Sequence, residues 1–366
     1  MKIICNRQEL SDATANVQGA VTTSAIPALE GILFSAQDQS LKLSGYSQEL
    51  GITTAIHAQV DKPGEIVLNA KLFYEIVRKL PGDLVHIEVD EKLICSIRCG
   101  DSDFSILGIA AEEFPELPTV AGGSSVSVDN QIFKNMVRQT RFAVAKNDAK
   151  PVHMGILFEL TEEYIRLVAV DGYRLAMRTE QMKNDLRMTF IVPEKTLSEI
   201  IKLIGEEEET VNISVGKRHI IFEVGNYLVV SRLLDGDFLD YKTAIPQTHT
   251  TSIIVSTRSL IDCIERISLL ITDRLKSPVR CIFDEDMIKA SCTTTIGSAH
   301  DKISCRQEGN RIEIGFNNRF LVEALRASEC DEIRIELSGS LAPMVIKPVE
   351  GDDFLFLVLP VRLKAE

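Results

Sequence analysis

The sequence predicts an α+β protein built from three copies of one domain, each with two helices packed on antiparallel sheets. Three observations carry this. The tetrapeptide GILF at 31–34 returns at 155–158, 124 residues later, and CIF at 281–283 is a degenerate third copy. Six amphipathic segments with polar starts recur every 60–64 residues. Between them lie runs that alternate apolar and polar residues in the manner of half-buried strands. A chain of 366 residues divides into three such domains, each long enough to bury its own core. The predicted boundaries are 1–122, 123–247 and 248–366.

In chain order the helical segments are NRQELSDATANV (6–17), NAKLFYEIVRKL (69–80), DNQIFKNMVRQT (129–140), PEKTLSEIIKLI (193–204), STRSLIDCIERI (256–267) and NNRFLVEALRAS (317–328). Each opens with a residue suited to a helix N-cap or first turn: Asn6, Asn69, Asp129, Pro193, Ser256 and Asn317. Apolar residues then follow at helical spacing, as in Leu197, Ile200, Ile201 and Ile204. After GILF a second strand also recurs, as LKL at 41–43 and IRL at 165–167. The β-branched runs at 82–107 and 209–234, broken by turn residues, read as antiparallel meanders.

Composition narrows the function. With 45% hydrophobic and 25% charged residues the chain is globular rather than disordered. Its N-terminus, MKIICNRQEL, has no secretory apolar core, and the longest apolar run, FLFLVLPV at 354–361, is far below the roughly 20 residues that span a bilayer. A cytoplasmic location without a membrane partner is expected. Eight cysteines without a C-x-x-C pair and six histidines without H-x-x-x-H spacing predict reduced, partly buried thiols and no zinc. There is no phosphate-binding glycine loop, dinucleotide fingerprint or nucleophile elbow. The pairs Asp235/Asp237 and Asp352/Asp353 fall in turn-like segments and read as solvated carboxylates. No catalysis, cofactor or metal is expected.

A net charge of −13 argues against a nucleic-acid partner only if it is spread evenly. The six helical windows sum to +5, which leaves −18 on the rest of the chain. The helical cations include Lys71, Arg78, Lys79, Lys134, Arg138, Arg141, Lys195, Lys202, Arg319 and Arg326. Six equivalent helices on one side of a continuous sheet would form a positive surface against an acidic exterior, able to contact phosphates without reading bases. Helices about 10 Å apart leave a hole of about 9 Å in a ring of six and about 28 Å in a ring of twelve. Duplex DNA, roughly 20 Å wide, passes only through the larger ring. Two chains are therefore needed.

AVDGYRLA at 169–176, RLLDGDFLDY at 232–241, EEFPELP at 112–118 and LPVRL at 359–363 occur in order along the chain. On these, and across its whole length, the sequence resembles the bacterial DNA polymerase III beta subunit family, the beta sliding clamps. The resemblance implies a head-to-tail homodimeric ring of three-domain chains around double-stranded DNA, helices inside and sheets outside. It implies an accessory subunit of the polymerase holoenzyme, not an enzyme. It further implies a hydrophobic cleft for short motifs of the polymerase III alpha subunit, clamp-loader subunits, translesion polymerases and mismatch-repair proteins.

Carried over by position, the cleft comprises Gly172, Tyr173, Arg174 and Leu175, the tail residues Leu357, Val358, Leu359, Pro360, Val361 and Arg362, and the walls His153, Leu239, Ala244 and Pro343. An apolar groove with backbone groups at its rim suits an extended peptide. Lys146, Asn147 and Lys150 join the helical cations as phosphate contacts. The family's ring joint points to Phe104 and Ile106 against Leu269 and Leu270, and closing a ring would cover an otherwise open strand edge. The sequence departs from the family at His153, where an aliphatic residue is usual, and at Thr243, where some members carry a basic one. The TTSAIP loop at 22–27 has no basic residue and is assigned no DNA contact.

Overall fold

The computed structural model describes residues 1–120, 124–147, 150–205, 210–272 and 277–363, and one order of elements runs through it three times. The first copy is β1 (Lys2–Asn6), α1 (Arg7–Val17), β2 (Gly31–Gln37), β3 (Ser40–Tyr46), β4 (Leu50–Lys62), β5 (Gly64–Asn69), α2 (Ala70–Val77), β6 (Leu84–Val89), β7 (Ile94–Cys99) and β8 (Ser102–Leu107). The second is β9 (Ser124–Asp129), α3 (Asn130–Arg141), β10 (Gly155–Leu160), β11 (Tyr164–Val170), β12 (Arg174–Gln181), β13 (Met188–Pro193), α4 (Glu194–Leu203), β14 (Thr210–Val215), β15 (His219–Val224) and β16 (Tyr227–Arg232). The third is β17 (Thr251–Ser256), α5 (Thr257–Ile267), β18 (Val279–Asp284), β19 (Met287–Thr294), β20 (Gly297–Ser304), β21 (Arg306–Gly309), β22 (Ile312–Phe316), α6 (Asn318–Ala327), β23 (Glu332–Leu337), β24 (Met344–Pro348) and β25 (Phe354–Val358). Among the described residues only β21 departs from the common order.

Five helices begin where a side-chain oxygen can accept an orphan backbone N–H. Asn6 accepts from Gln8 and Glu9, Asn69 from Leu72, Asp129 from Gln131 and Ile132, Ser256 from Ser259, and Asn317 from Arg319 and Phe320, all at 2.8–3.3 Å. Helix α4 departs from this pattern. Pro193 ends β13 and has no acceptor to offer, so the first-turn Glu194 alone complements the positive helix end. Helix α2 stops at Val77, short of the predicted Leu80, because the backbone tightens as Lys79 bonds Ile76 and Leu80 bonds Val77 before Pro81.

The repeated tetrapeptide is a packing unit. Phe34 and Phe158 are fully buried, as is the degenerate copy's Phe283. Phe34 meets Phe73 edge-on at 4.6 Å, and Phe158 stacks on Phe190 at 5.2 Å. A Cβ on Gly31 would lie 2.4 Å from the Val67 side chain, and one on Gly155 would lie 2.7 Å from the Val192 carbonyl oxygen. The glycine that opens each GILF is thus required by close approach of the neighbouring strand.

The chain forms two compact units, Met1–Lys134 with Lys195–Leu233, and Asn135–Glu194 with Leu234–Glu366. In the first, antiparallel strands run in the order β8-β7-β6-β1-β4-β16-β15-β14-β9, with β2, β3 and β5 joined through β4. Helices α1 and α2 pack against each other. In the second, one sheet runs β13-β10-β11-β12-β25-β24-β23-β17-β21, another runs β20-β19-β18-β22, and α5 packs on α6.

Consecutive copies are joined by one rule. The last strand of the second copy, β16, pairs with the fourth strand of the first, β4, from Leu50↔Ser231 to Thr54↔Tyr227. The last strand of the third copy, β25, pairs with the fourth strand of the second, β12, from Arg174↔Val358 to Arg178↔Phe354. Among the described residues β8 and β20 each end a sheet.

Candidate functional site

The AVDGYRLA motif folds into the end of β11, a tight turn and the start of β12. Asp171 forms the turn by accepting the N–H groups of Tyr173 and Arg174 at 2.9 and 3.0 Å. Gly172 adopts φ +83°, a conformation that disfavours any side chain although none would clash. Beyond the turn, pairing of β12 with β25 sets Leu175 opposite Leu357 and Arg174 opposite Val358. Past β25 the tail follows the same turn: the Leu359 N–H donates to the Tyr173 carbonyl at 2.9 Å, and the Val361 N–H to the Gly315 carbonyl at 2.8 Å. Pro343 stands one residue before Met344, which pairs with Val358.

Leu175 and Leu357 belong to a buried cluster with Val152, Leu157, Val170, Ile191, Tyr241 and Val345. Phe238 and Ile245, from the segment that also carries Leu239 and Ala244, pack against it half-buried. The His153 ring meets Phe238 edge-on at 5.8 Å. Tyr241 pins this segment down: its hydroxyl donates to Glu159 at 2.8 Å and accepts from Arg166 at 3.4 Å. Burial pushes the Tyr241 hydroxyl up to about 12, and the neighbouring Glu159 adds to the rise while Arg166 opposes it. Around the cluster Tyr173 is 62% exposed, Leu239 45%, Val361 39% and Leu359 37%. The result is a buried apolar floor with an exposed apolar rim.

The structure places the residues of the expected cleft at different depths. Leu175, Leu357 and Val358 are core residues, at most 3% exposed, and lie beneath the exposed apolar rim. Arg174 is also buried: it bonds Asp171 at 2.9 Å, pairs with Glu323 of α6, and lies 4.6 Å from the Phe320 ring centre and 5.5 Å from that of Phe142. Its guanidinium ties β12 to α6. Tyr173 stacks on the other partner of this tie, Phe320, at 5.7 Å. Pro360 is half-buried, while Ala244 and Arg362 are exposed. Glu323, Phe320, Tyr241 and the Glu159–Arg166 pair escaped the sequence reading. Only Asp171, in its D-G turn, carried a local signal.

Of the predicted DNA-facing residues, all are exposed except the half-buried Lys134. Three are held by carboxylates: Arg78 by Glu75 at 2.5 Å, Lys202 by Glu199 at 2.7 Å and Arg141 by Glu194 at 3.4 Å. Lys71, Lys79, Lys134, Arg138, Lys146 and Lys195 have no ion pair among the described residues, and Asn147 and Lys150 lie on the exposed loop after α3. At the predicted ring joint Phe104 is 41% and Leu269 82% exposed, and Ile106 and Leu270 are half-buried. The four are not packed away in a core. All eight cysteines are free, six of them buried. No cluster of three potential metal ligands exists among the described residues, and Asp235, Asp237, Asp352 and Asp353 are exposed.

Three repeated two-helix domains, spliced by strand pairing and with exposed apolar side chains beside the third domain's last strand, define a clamp-type architecture. The chain matches family models for the N-terminal, central and C-terminal domains of the DNA polymerase III beta subunit over residues 1–118, 127–240 and 242–362. It is 31% identical to the beta sliding clamp of Bacillus subtilis over 376 residues, covering 99% of this chain and 100% of that one. The crystal structure of the Bacillus subtilis clamp superposes with a TM-score of 0.96 at 30% identity, covering all of both chains. A sliding clamp from Pseudomonas aeruginosa bound to griselimycin gives 0.94 at 26% identity, covering 99% of this chain and 100% of that one. The chain belongs to the DNA polymerase III beta subunit family, the beta sliding clamps of DNA replication.

Proposed function

We propose that this clamp encircles duplex DNA as a head-to-tail homodimer and tethers replication and repair proteins through the groove around Leu175 and Leu357. The carrying observation is the splice between copies, used twice within the chain, which leaves the exposed Phe104 on an unpaired edge strand. A second chain would continue the series and close it. Phe104 and Ile106 of one chain then meet Leu269 and Leu270 of the other, and the domains span 1–122, 123–247 and 248–366. Lys71, Lys79, Lys134, Arg138, Lys146, Asn147, Lys150 and Lys195 face phosphates, with Arg78, Arg141 and Lys202 partly neutralised.

The groove accepts an extended peptide whose apolar side chains rest on the floor and pass the rim of Tyr173, Leu239, Leu359 and Val361. His153 and Pro343 border it. A related clamp has been solved with griselimycin bound, which supports a ligand-accepting site in this fold. The partners so tethered are the polymerase III alpha subunit, clamp-loader subunits, translesion polymerases and mismatch-repair proteins. The protein works in the cytoplasm; none of its described helices is long and apolar enough to cross a membrane.

The test is retention on DNA after loading by a clamp loader. A topological link holds the clamp on closed circles and releases it once a single cut makes them linear. Equal retention on both forms would overturn the reading.

A further inference from the structure

We infer that the face of β18, β19 and β20 that turns away from α5 is a second docking surface, which takes an extended acidic segment of a partner protein. The repeat identifies this face. In the second copy Leu157 pairs with Val168 and Ile191, Val168 with Met177, and Val170 with Leu175, and these side chains build the apolar cluster beneath the rim. The same lattice in the first copy is Leu33 with Ser44 and Val67, Ser44 with Thr53, and Tyr46 with Gly51. Matching Phe283 to Phe34 and Phe158 makes it, in the third copy, Ile282 with Lys289 and Glu313, Lys289 with Lys302, and Ser291 with His300.

In the first two copies the chain covers this face itself. Phe114, with Ile109 and Leu117, packs on Leu33, Tyr46 and Val67. A Cβ on Gly51 would stand 2.9 Å from the Leu117 side chain. Phe238, Tyr241 and Ile245 pack on the cluster that holds Leu157, Val170 and Leu175. The covering segments, EEFPELP at 112–118 and DGDFLDY at 235–241, share one chemistry. Each brings an aromatic ring to the face and keeps exposed carboxylates on both sides of that ring.

The third face stays open among the described residues. Lys289, His300 and Lys302 are exposed there, and Ile282 and Ser291 half-buried, around a cavity of about 580 Å³. Positions that are apolar in the second copy have become cationic in the third. The carboxylates Asp284 and Glu313 are already shared among Arg280, Lys289 and Arg311 at 3.3–3.8 Å. Asp301 turns the other way, to Arg266 of α5 at 2.7 Å, and Lys302 has no ion pair among the described residues. A segment like those that cover the first two copies therefore suits this face in shape and in charge: its aromatic ring rests on Ile282 while its carboxylates meet Lys289 and Lys302 on neighbouring strands.

Fluorescence polarisation of the full chain with a labelled AEEFPELP peptide, the sequence of residues 111–118, tests this. K289E/K302E is expected to weaken binding by about 10-fold. The reversed peptide AKKFPKLP is expected to prefer the K289E/K302E chain to the unsubstituted one, a gain that a misfolded variant could not show. L359D, on the rim of the groove already described, is expected to leave the affinity of AEEFPELP unchanged. Equal affinity of the acidic peptide for both chains, no preference by the reversed one, or loss of binding in L359D overturns the site. So does a single-stranded oligonucleotide that displaces the peptide and itself fails to bind K289E/K302E, which would make this face a nucleic-acid surface. Ring closure enters none of these outcomes and is decided separately by retention on circular and linear DNA.

Discussion

Arg174 shows what one residue carries here. Buried among two aromatic rings and two carboxylates, it joins the DGYRL turn to α6 across 149 residues of sequence. Arg174→Ala leaves Asp171 and Glu323 facing each other without their cation and should lower unfolding stability by roughly 3 kcal/mol. Glu323→Gln, at a more exposed position, should cost well under half of that, so equal losses in urea titrations would refute the tie. The Asp171 end of this network could be read from the D-G turn, but nothing local to Glu323 announces its partner. The buried thiols act by a different route. Burial holds Cys5, Cys95, Cys263 and Cys281 up to about 12, from an ordinary value of 9.0. Because the folded value is the higher one, their stabilisation is complete below pH 9 and is lost as pH rises from 9 toward 12. Each should add about 1.4 kcal/mol per pH unit to the alkaline fall in stability. Cys281→Ala should flatten that slope by one such increment, whatever it does to stability at neutral pH.

Among elements, the helices were the most legible part of the fold because their signals are local. Asn317 accepts two N–H groups at the start of α6, and Asn317→Ala should destabilise the protein by about 1 kcal/mol in thermal unfolding. The failures were equally physical: Pro193 suits a first helical turn but here closes β13, and the amphipathic pattern of α2 runs on past Val77 where the backbone has already tightened. Strand pairing left no local trace. Leu357 and Leu175 look alike whether they form a floor or a wall, and only the β12–β25 register decides it. The proposed groove therefore rests on a family resemblance and not on pattern. The tail after β25 is held by the backbone bonds of Leu359 to Tyr173 and Val361 to Gly315, far in sequence from the proposed joint residues Phe104 and Leu269. Removing residues 359–366 should weaken binding of a clamp-motif peptide by at least about 100-fold in fluorescence polarisation, if Leu359 and Val361 supply two apolar anchors. Sedimentation should show the dimer unchanged.

At the scale of the whole molecule the proposed function asks how a chain of net charge −13 would hold a polyanion. The segregated charge was visible in the sequence as +5 on helical windows against −18 elsewhere, but the sum hides which cations are free. Arg78 and Lys202 already face a carboxylate on their own helix and Arg141 faces Glu194 of α4, whereas Arg138 is exposed and has no ion pair among the described residues. A phosphate that displaces a condensed counterion contributes about 0.9 to the slope of log affinity against log salt. A cation that must first leave its carboxylate gains much less. A ring loaded onto closed circles would be held by topology, so under the proposed function this difference belongs to the open encounter with DNA and to the friction of sliding. Direct binding to short duplexes should therefore lose up to about one unit of salt slope in Arg138→Gln and little in Lys202→Gln. Retention on circles should be the same in both. Equal slopes for the two variants would mean that the ion pairs on the helices do not decide which cations meet the phosphates, and the lining would have to be described by its net charge alone.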